Sequence, residues 1–240
     1  KLHTFHKKDG VSHRALHWHV LKAVENGDWD ISRRSVNIYK GVRDDEWAVN
    51  TTRIARVDAT SSEDLTRGEI EGRRQVKMVM DFFHKYVPGC KNATLKCTGS
   101  TLGIRESRHI LGDYVLQVDD LLNGVVSDDA VLVASNSVDV HGRLSDNSTE
   151  YITVQNGRWY GVPYRSLVPQ VVENLLVAGR CLSATHEAQA SVRIMPICAT
   201  MGEAAGIAVA VAYNTDKMVL HTCALLNKNY VLNLQKFTTY

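Results

Sequence analysis

Residues 174–212, NLLVAGRCLSATHEAQASVRIMPICATMGEAAGIAVAVA, constrain the fold more than any other stretch of this chain. Leu175, Leu176, Val177 and Ala178 form a short apolar run between Asn174 and Gly179, which predicts a buried strand of an α/β sheet. Pro196 then opens a helix predicted over 197–213, at the first helical position, where its missing N–H costs nothing. Gly202 and Gly206 inside that helix lower its intrinsic stability by about 1 kcal/mol each relative to Ala, so something is expected to approach it closely. The helix start, preceded by Arg193, presents unpaired N–H groups and about half a unit of positive charge, which suits an anionic or electron-rich group. Small residues at Ala199, Gly202, Ala205, Gly206 and Ala208 leave room for a flat ligand or a neighbouring strand.

The rest of the chain narrows the class of partner. With 28 Lys and Arg against 26 Asp and Glu in 240 residues, the net charge is +2, and no basic block is dense enough to neutralise a row of phosphates. Nucleic acid is therefore not expected as the main partner, and a small-molecule substrate is. Apolar residues make up 44%, enough for a sizeable core. The longest weakly polar stretch, Ala204 to Ala212, is about half of the roughly 20 residues that cross a bilayer, so no membrane span is expected. The chain starts Lys1, Leu2, His3, which reads either as a processed start or as part of a longer chain. Five cysteines, Cys90, Cys97, Cys181, Cys198 and Cys223, lack any C-x-x-C pair and read as reduced, mostly buried thiols, although Cys90 and Cys97 are close enough in sequence to be bridged. N-x-S/T triplets begin at Asn50, Asn92 and Asn147, but such triplets arise often by chance. A cytoplasmic location is favoured over secretion.

No internal repeat and no low-complexity linker occurs, so one compact mixed α+β unit is the simplest reading. Leu16, Val20 and Val24 predict a helix over 12–25 that ends at Asn26 and Gly27. A longer helix is predicted from Ser61, capped with Asp64, through Leu65, Val76, Met80, Phe83 and Val87 to Pro88. Short β-rich runs follow at Tyr114–Val118, Val131–Ala134 and Tyr151–Val154. The expected organisation is an N-terminal mixed segment over 1–95, a β-rich substrate or cap region over 96–170, and a C-terminal cofactor-binding segment over 171–240.

Several motifs stand in a fixed order. N-L-L-V-A-G-R-C-x-S occupies Asn174 to Ser183, S-x-R-x-M occupies Ser191 to Met195, and G-x-A-A-G-x-A-x-A occupies Gly202 to Ala210. Upstream lie G-x-R-E-S-R-x-I-x-G-x-Y-x-L at Gly103 to Leu116, D-x-H at Asp139 to His141, and P-Y-R-x-L-x-P at Pro163 to Pro169. N-T-T-R at Asn50 to Arg53 and G-R-R-Q at Gly72 to Gln75 complete the set. Together they cover roughly residues 48–212, and in this order they resemble the FAD-dependent oxidoreductase family.

That resemblance implies FAD as cofactor and the C-terminal part of a two-dinucleotide-binding-type flavoprotein fold with an inserted β-rich substrate region. It implies that Gly179 and Arg180 meet the ribityl and pyrophosphate portion, and that Arg193, Ile194 and Met195 approach the flavin ring. Gly179, Arg180, Ser183, Arg193, Met195 and Gly202 are the implied cofactor-binding residues. Arg105, Arg108, His141 and Arg165 are the candidates on the substrate side. No G-x-G-x-x-G fingerprint occurs in the sequence, and the resemblance implies that this segment belongs to a preceding nucleotide-binding half.

Each of these residues also has a plainer reading. Arg105, Glu106, Ser107 and Arg108 form either a surface ion-pair ladder or an anchor for an anionic group through guanidinium donors. His141, His186, Tyr164 and Arg165 are candidates for proton transfer and substrate orientation, or satisfied loop residues. His13 and His17 share a helix face, but Arg14 stands where a zinc-protease helix needs its Glu, and no metal is expected. No G-x-S-x-G supports a hydrolase. The rival to an oxidoreductase is a non-catalytic ligand-binding or scaffold domain that does not bind FAD by itself.

Overall fold

The computed structural model describes residues 16–141, 149–152, 154 and 158–215. The chain is mixed α/β and divides into two compact units instead of the single unit expected from sequence, one over 1–104 with 142–148, the other over 105–141 with 149–240. Most of the β-rich region expected over 96–170 and the described part of the C-terminal segment expected over 171–240 lie in the second unit.

In the first unit, α1 (His17–Glu25) ends where the sequence placed its end. Gly27 N–H bonds Val24 O at 3.0 Å and Asp28 N–H bonds Ala23 O at 2.8 Å, with Gly27 at φ +75°, so the last carbonyls are satisfied by a left-handed cap. A hairpin that the motif reading did not anticipate follows, β1 (Asn37–Lys40) against β2 (Trp47–Asn50). The long helix α2 (Ser62–Tyr86) begins as predicted, with Ser61 Oγ accepting from Asp64 N–H at 3.3 Å.

Its buried stripe differs from the expected one. Gln75, Val79, Phe82 and Phe83 face inward, while Val76 and Met80 are only half-buried, because Trp29 packs edge-on against Phe82 at 5.0 Å and draws that face into the core. Gln75 is polar and buried because it is fully used. Its Nε2 donates to Arg53 O at 2.9 Å and its Oε1 accepts from Arg53 N–H at 2.8 Å. The N-T-T-R and G-R-R-Q motifs therefore meet, one pinning the backbone of the other. The solvated face carries Arg74 between Glu71 and Asp30, and hydrogen bonds from Arg74 and Gln75 hold the Glu71 carboxyl down at about 2.

In the second unit, β3 (Ala130–Ala134) pairs with β6 (Tyr160–Pro163), and β4 (Val138–His141) pairs with β5 (Thr149–Ile152), all antiparallel. A 3₁₀ turn over Tyr164–Leu167 follows β6. Three further helices are α3 (Val118–Leu122), α4 (His186–Val192) and α5 (Met195–Thr215). The run predicted as a strand at Tyr114–Val118 makes only a single bridge, Leu116 to Ala184. The chain leaves it at once for α3, whose Asp120 carboxylate accepts from Gln117 N–H at 2.9 Å. Its approach to Ser183 is possible because Gly112 has no side chain: a Cβ there would lie 2.7 Å from Ser183 Cβ. The β run predicted at Tyr151–Val154 begins earlier, at Thr149, and ends at Ile152.

The strand predicted at Leu175–Ala178 does not form. Leu175 is exposed and Leu176 to Ala178 are half-buried, and the segment's one backbone bond to another segment is Val177 N–H to Leu167 O at 2.9 Å. Without a strand alongside among the described residues, the apolar run stays extended and unladdered. Helix α5 forms as predicted, two residues earlier. Ile197, Met201, Ala208, Val211 and Ala212 enter the core of this unit, whereas Gly202, Glu203, Gly206, Val209, Ala210 and Tyr213 are open to solvent. At 21 residues it is also long and apolar enough to cross a membrane, which the nine-residue stretch alone did not reveal. A Cβ at Gly202 or Gly206 would meet nothing within 4 Å. The close neighbour that those glycines predicted is thus not among the described residues. Cys90 and Cys97 are free thiols, and Cys97 is exposed instead of buried.

Candidate functional site

The extended segment from Arg105 to Asp113 is held against the chain around α4 by bonds that no sequence pattern announces. Ile110 N–H donates to Cys181 O at 3.0 Å. The buried Gln189 side chain donates to Arg105 O at 3.0 Å and to Arg180 O at 3.4 Å. Thr185 caps α4, with its hydroxyl accepting from Ala188 N–H at 3.4 Å. These contacts bring three motifs to one place: the R-E-S-R segment, the D-x-H strand and the S-x-R-x-M helix end.

Their charges interlock. Asp139 on β4 lies between two guanidiniums, with Arg105 Nη2 2.8 Å and Arg193 Nη2 3.7 Å from its Oδ2, and Arg193 also donates to Asp139 O at 3.3 Å. Arg193 is the C-cap of α4 and its side chain is only 11% exposed. Burial, reinforced by the like charge of Arg105, lowers its pKa, against the pull of Asp139 and Glu106. Arg193 is therefore turned into the unit, where it ties β4 to the end of α4.

Beside this pair, Glu106 bridges two imidazoles. Its Oε1 meets His109 Nε2 at 3.0 Å and its Oε2 meets His186 Nδ1. His109 Nδ1 in turn faces Leu182 O at 3.1 Å. The motif around Gly103 leaves position 109 open, and Glu106 reads from sequence as part of an ion-pair ladder or of an anionic-group anchor. The spacing of Glu106 and His109 was the one available signal, since a pair three residues apart can meet, but its partner His186 is 80 residues away.

The start of α5 opens on a groove of about 510 Å³. Leu132 and Ala134 of β3, Asn136 and Ser137 of the β3–β4 connection, Ile194 just before α5 and Pro196 in its first turn line it. Its volume lies within the range of small-molecule sites, with an apolar wall on one side and amide and hydroxyl groups on the other. Asn136 is fixed in that wall, donating to Ser191 O at 3.0 Å while its own carbonyl accepts from Ser191 Oγ at 2.7 Å. Gly179 turns with φ +87° close to Cys198 in the first turns of α5, where a Cβ would stand 3.9 Å from the sulfur. Burial, with Cys181 nearby, raises the Cys198 thiol pKa.

The candidate residues distribute as follows. Arg105 and Arg193 come together on Asp139. Arg180 is exposed, with its carbonyl taken by Gln189. Met195 is 86% exposed beside the groove, and Gly202 lies on the open face of α5. Ser183 is enclosed, 1% exposed, with its backbone bonded to Ser166 and Leu116, so its hydroxyl faces packed atoms and no surface. Arg165 is taken by Asp129, with Nε 2.9 Å from Oδ2, and covers the Tyr114 ring at 5.3 Å. Arg108 is exposed and is not drawn into the Arg105 cluster. His141 ends β4, paired with Thr149, and its side chain lies outside the described atoms, as does His13.

A flavin fits what is present: a groove of about 510 Å³ at the start of an α-helix, where N–H groups and partial positive charge suit an electron-rich ring, and an open small-residue face beyond. No curated protein and no solved structure gives a significant match. A family profile described as FAD dependent oxidoreductase matches residues 3–227, nearly the whole sequence. The chain thus belongs to the FAD-dependent oxidoreductase family, flavoproteins whose cofactor is FAD.

Proposed function

We propose that this protein transfers a hydride between a small organic substrate and flavin, with the ring seated in the groove at the first turn of α5. The observation that carries the reading is that groove, lined by Ile194 and Pro196 where the helix's unpaired N–H groups begin. When bound, FAD supplies the two-electron acceptor. The backbone around Met195 supplies donors and partial positive charge, which favour the negative charge that reduction places on the ring. Gly179 and Arg180 would flank the chain linking the ring to its nucleotide, and Gly202 leaves the helix face bare for a close neighbour. Arg193 acts from behind, holding β4 and the α4–α5 junction in register through Asp139. Arg105, half-exposed on the same carboxylate, is the side chain placed to meet an anionic substrate. The two-dinucleotide-binding architecture belongs to the same proposal.

The test is to add FAD to the purified protein, desalt it and record its visible spectrum. Flavin absorbance that stays with the protein, and bleaches anaerobically with an organic reductant, supports the reading. Colourless protein that still binds a small organic ligand would instead identify a non-catalytic binding domain.

A further inference from the structure

We propose that His186 is the proton-transfer residue of this site, oriented by Glu106, and that His109 is the positioning residue which orients Glu106. The inference rests on the flavin reading above for its reaction and on side-chain geometry for its residues.

Hydrogen-bond accounting assigns the protons. His109 Nδ1 faces a backbone carbonyl, Leu182 O, which only accepts, so that nitrogen carries a hydrogen. His109 Nε2 faces Glu106 Oε1 at 3.0 Å, and one proton is shared between them. Glu106 Oε2 remains as an acceptor for His186 Nδ1–H, which places the lone pair of His186 on Nε2. Glu106 is thereby held at both oxygens, and His186 is held in one tautomer by a carboxylate, the arrangement that makes an imidazole an effective base. The chain of contacts is buried toward His109, 19% exposed, and opens at His186, 38% exposed. The other charged groups beside this trio are Arg105 and Arg193, both gathered on Asp139. Arg193 is followed directly by Ile194, which lines the groove, and α4, seven residues from His186 to Val192, sets His186 about 10 Å of helix away, so the proton it takes comes from a substrate that reaches along α4 beyond the groove. Among the described residues no group of three His, Cys, Asp or Glu side chains is placed to hold a metal ion.

Oxidation of a CH–OH or CH–NH centre releases a hydride and a proton. The C–H pair leaves with its two electrons to oxidised flavin, the O–H or N–H bond breaks, and the proton forms a bond to His186 Nε2 as the C=O or C=N bond is made. Reduction of the product runs the same transfer backwards.

The experiment uses the full chain with FAD added. Nitrogen-15 histidine spectra should show His186 as the Nδ1–H tautomer, lost in Glu106→Ala and kept in Glu106→Gln, whose amide satisfies the same two partners without charge. A panel of secondary alcohols, primary amines and 2-hydroxy acids is then screened anaerobically for flavin bleaching. His186→Asn should slow bleaching by roughly 100-fold or more with flavin retained, and His186→Ala should recover part of the rate when imidazole is added. A His186 ring protonated at Nε2, a tautomer indifferent to Glu106→Ala, or an unchanged bleaching rate in His186→Asn would each overturn the assignment. A wild type that retains no FAD would instead overturn the flavin reading and with it the proton role, while the spectra still judge the relay.

Discussion

The Tyr160 hydroxyl lies 2.6 Å from Ser191 Oγ, and because Ser191 donates its own proton to Asn136 O at 2.7 Å, the tyrosine is the donor. Both residues are fully enclosed, and burial pushes the Tyr160 phenol up to about 12. This three-residue network joins β6, α4 and the groove wall. Ser191→Ala should leave the phenol and the Asn136 carbonyl unpaired and destabilise the protein by about 1–3 kcal/mol. Tyr160→Phe removes a single donor and should cost only about 1 kcal/mol. Urea unfolding checks the order; equal losses would show that the network is not shared as described.

Asp139 neutralises a buried guanidinium and a half-exposed one, so its removal and that of either partner are unequal. Asp139→Ala removes the carboxylate in contact with the enclosed Arg193 guanidinium and should cost about 3 kcal/mol. Arg105→Ala removes an exposed partner and should cost under about 1 kcal/mol. Arg193→Ala should also weaken flavin retention, since it releases the junction from which α5 starts. Chemical denaturation together with FAD titration separates the two effects; an Arg193→Ala protein with unchanged flavin affinity would detach this residue from the site.

Gly202 and Gly179 test different constraints. Gly202 is helical with open space around it, so Gly202→Ala should raise stability by about 0.5–1 kcal/mol while reducing FAD retention if a close neighbour packs on that face. Gly179 has φ +87°, so Gly179→Ala should lose about 1 kcal/mol to backbone strain. Thermal melts with and without FAD read both. A Gly202→Ala variant that gains stability and keeps its flavin unchanged would show that the open helix face plays no part.

Asp129 connects pH to stability. Burial alone would raise its pKa, but hydrogen bonds from the Arg165 side chain and backbone N–H outweigh it and hold the carboxyl below the usual range. A depressed folded pKa gives stability that is complete above the unfolded value, near pH 4, and is lost as pH falls through the folded value. Asp129→Asn should therefore flatten the acid side of the stability profile below about pH 4 and leave its shape near neutrality unchanged. Urea midpoints measured from pH 7 downward check this; a slope that persists in the variant would assign acid sensitivity to other carboxylates.

Much was legible without coordinates wherever the information was local. The Ser61 cap and the apolar recurrence to Val87 placed α2. Pro196 and the small apolar residues behind it placed α5, and β-branched residues flanked by turn formers placed β3. Each rests on interactions within a few residues of chain. The ordered motifs around Gly103, Asp139, Pro163, Asn174 and Ser191 likewise carried the family. What they could not carry was partnership. Leu175–Ala178 has the composition of a buried strand, but a strand exists only beside another, and none lies beside it in the described structure. Ser183 reads as a ligand contact in a motif, and its enclosure beside Gly112 is set by segments about 70 residues apart. Asp139 with Arg105 and Arg193, and Glu106 with His186, join residues 34 to 80 positions apart. Periodicity and capping describe what a residue does to its own backbone; which distant charge or imidazole it meets is set by packing, and only the folded chain decides that.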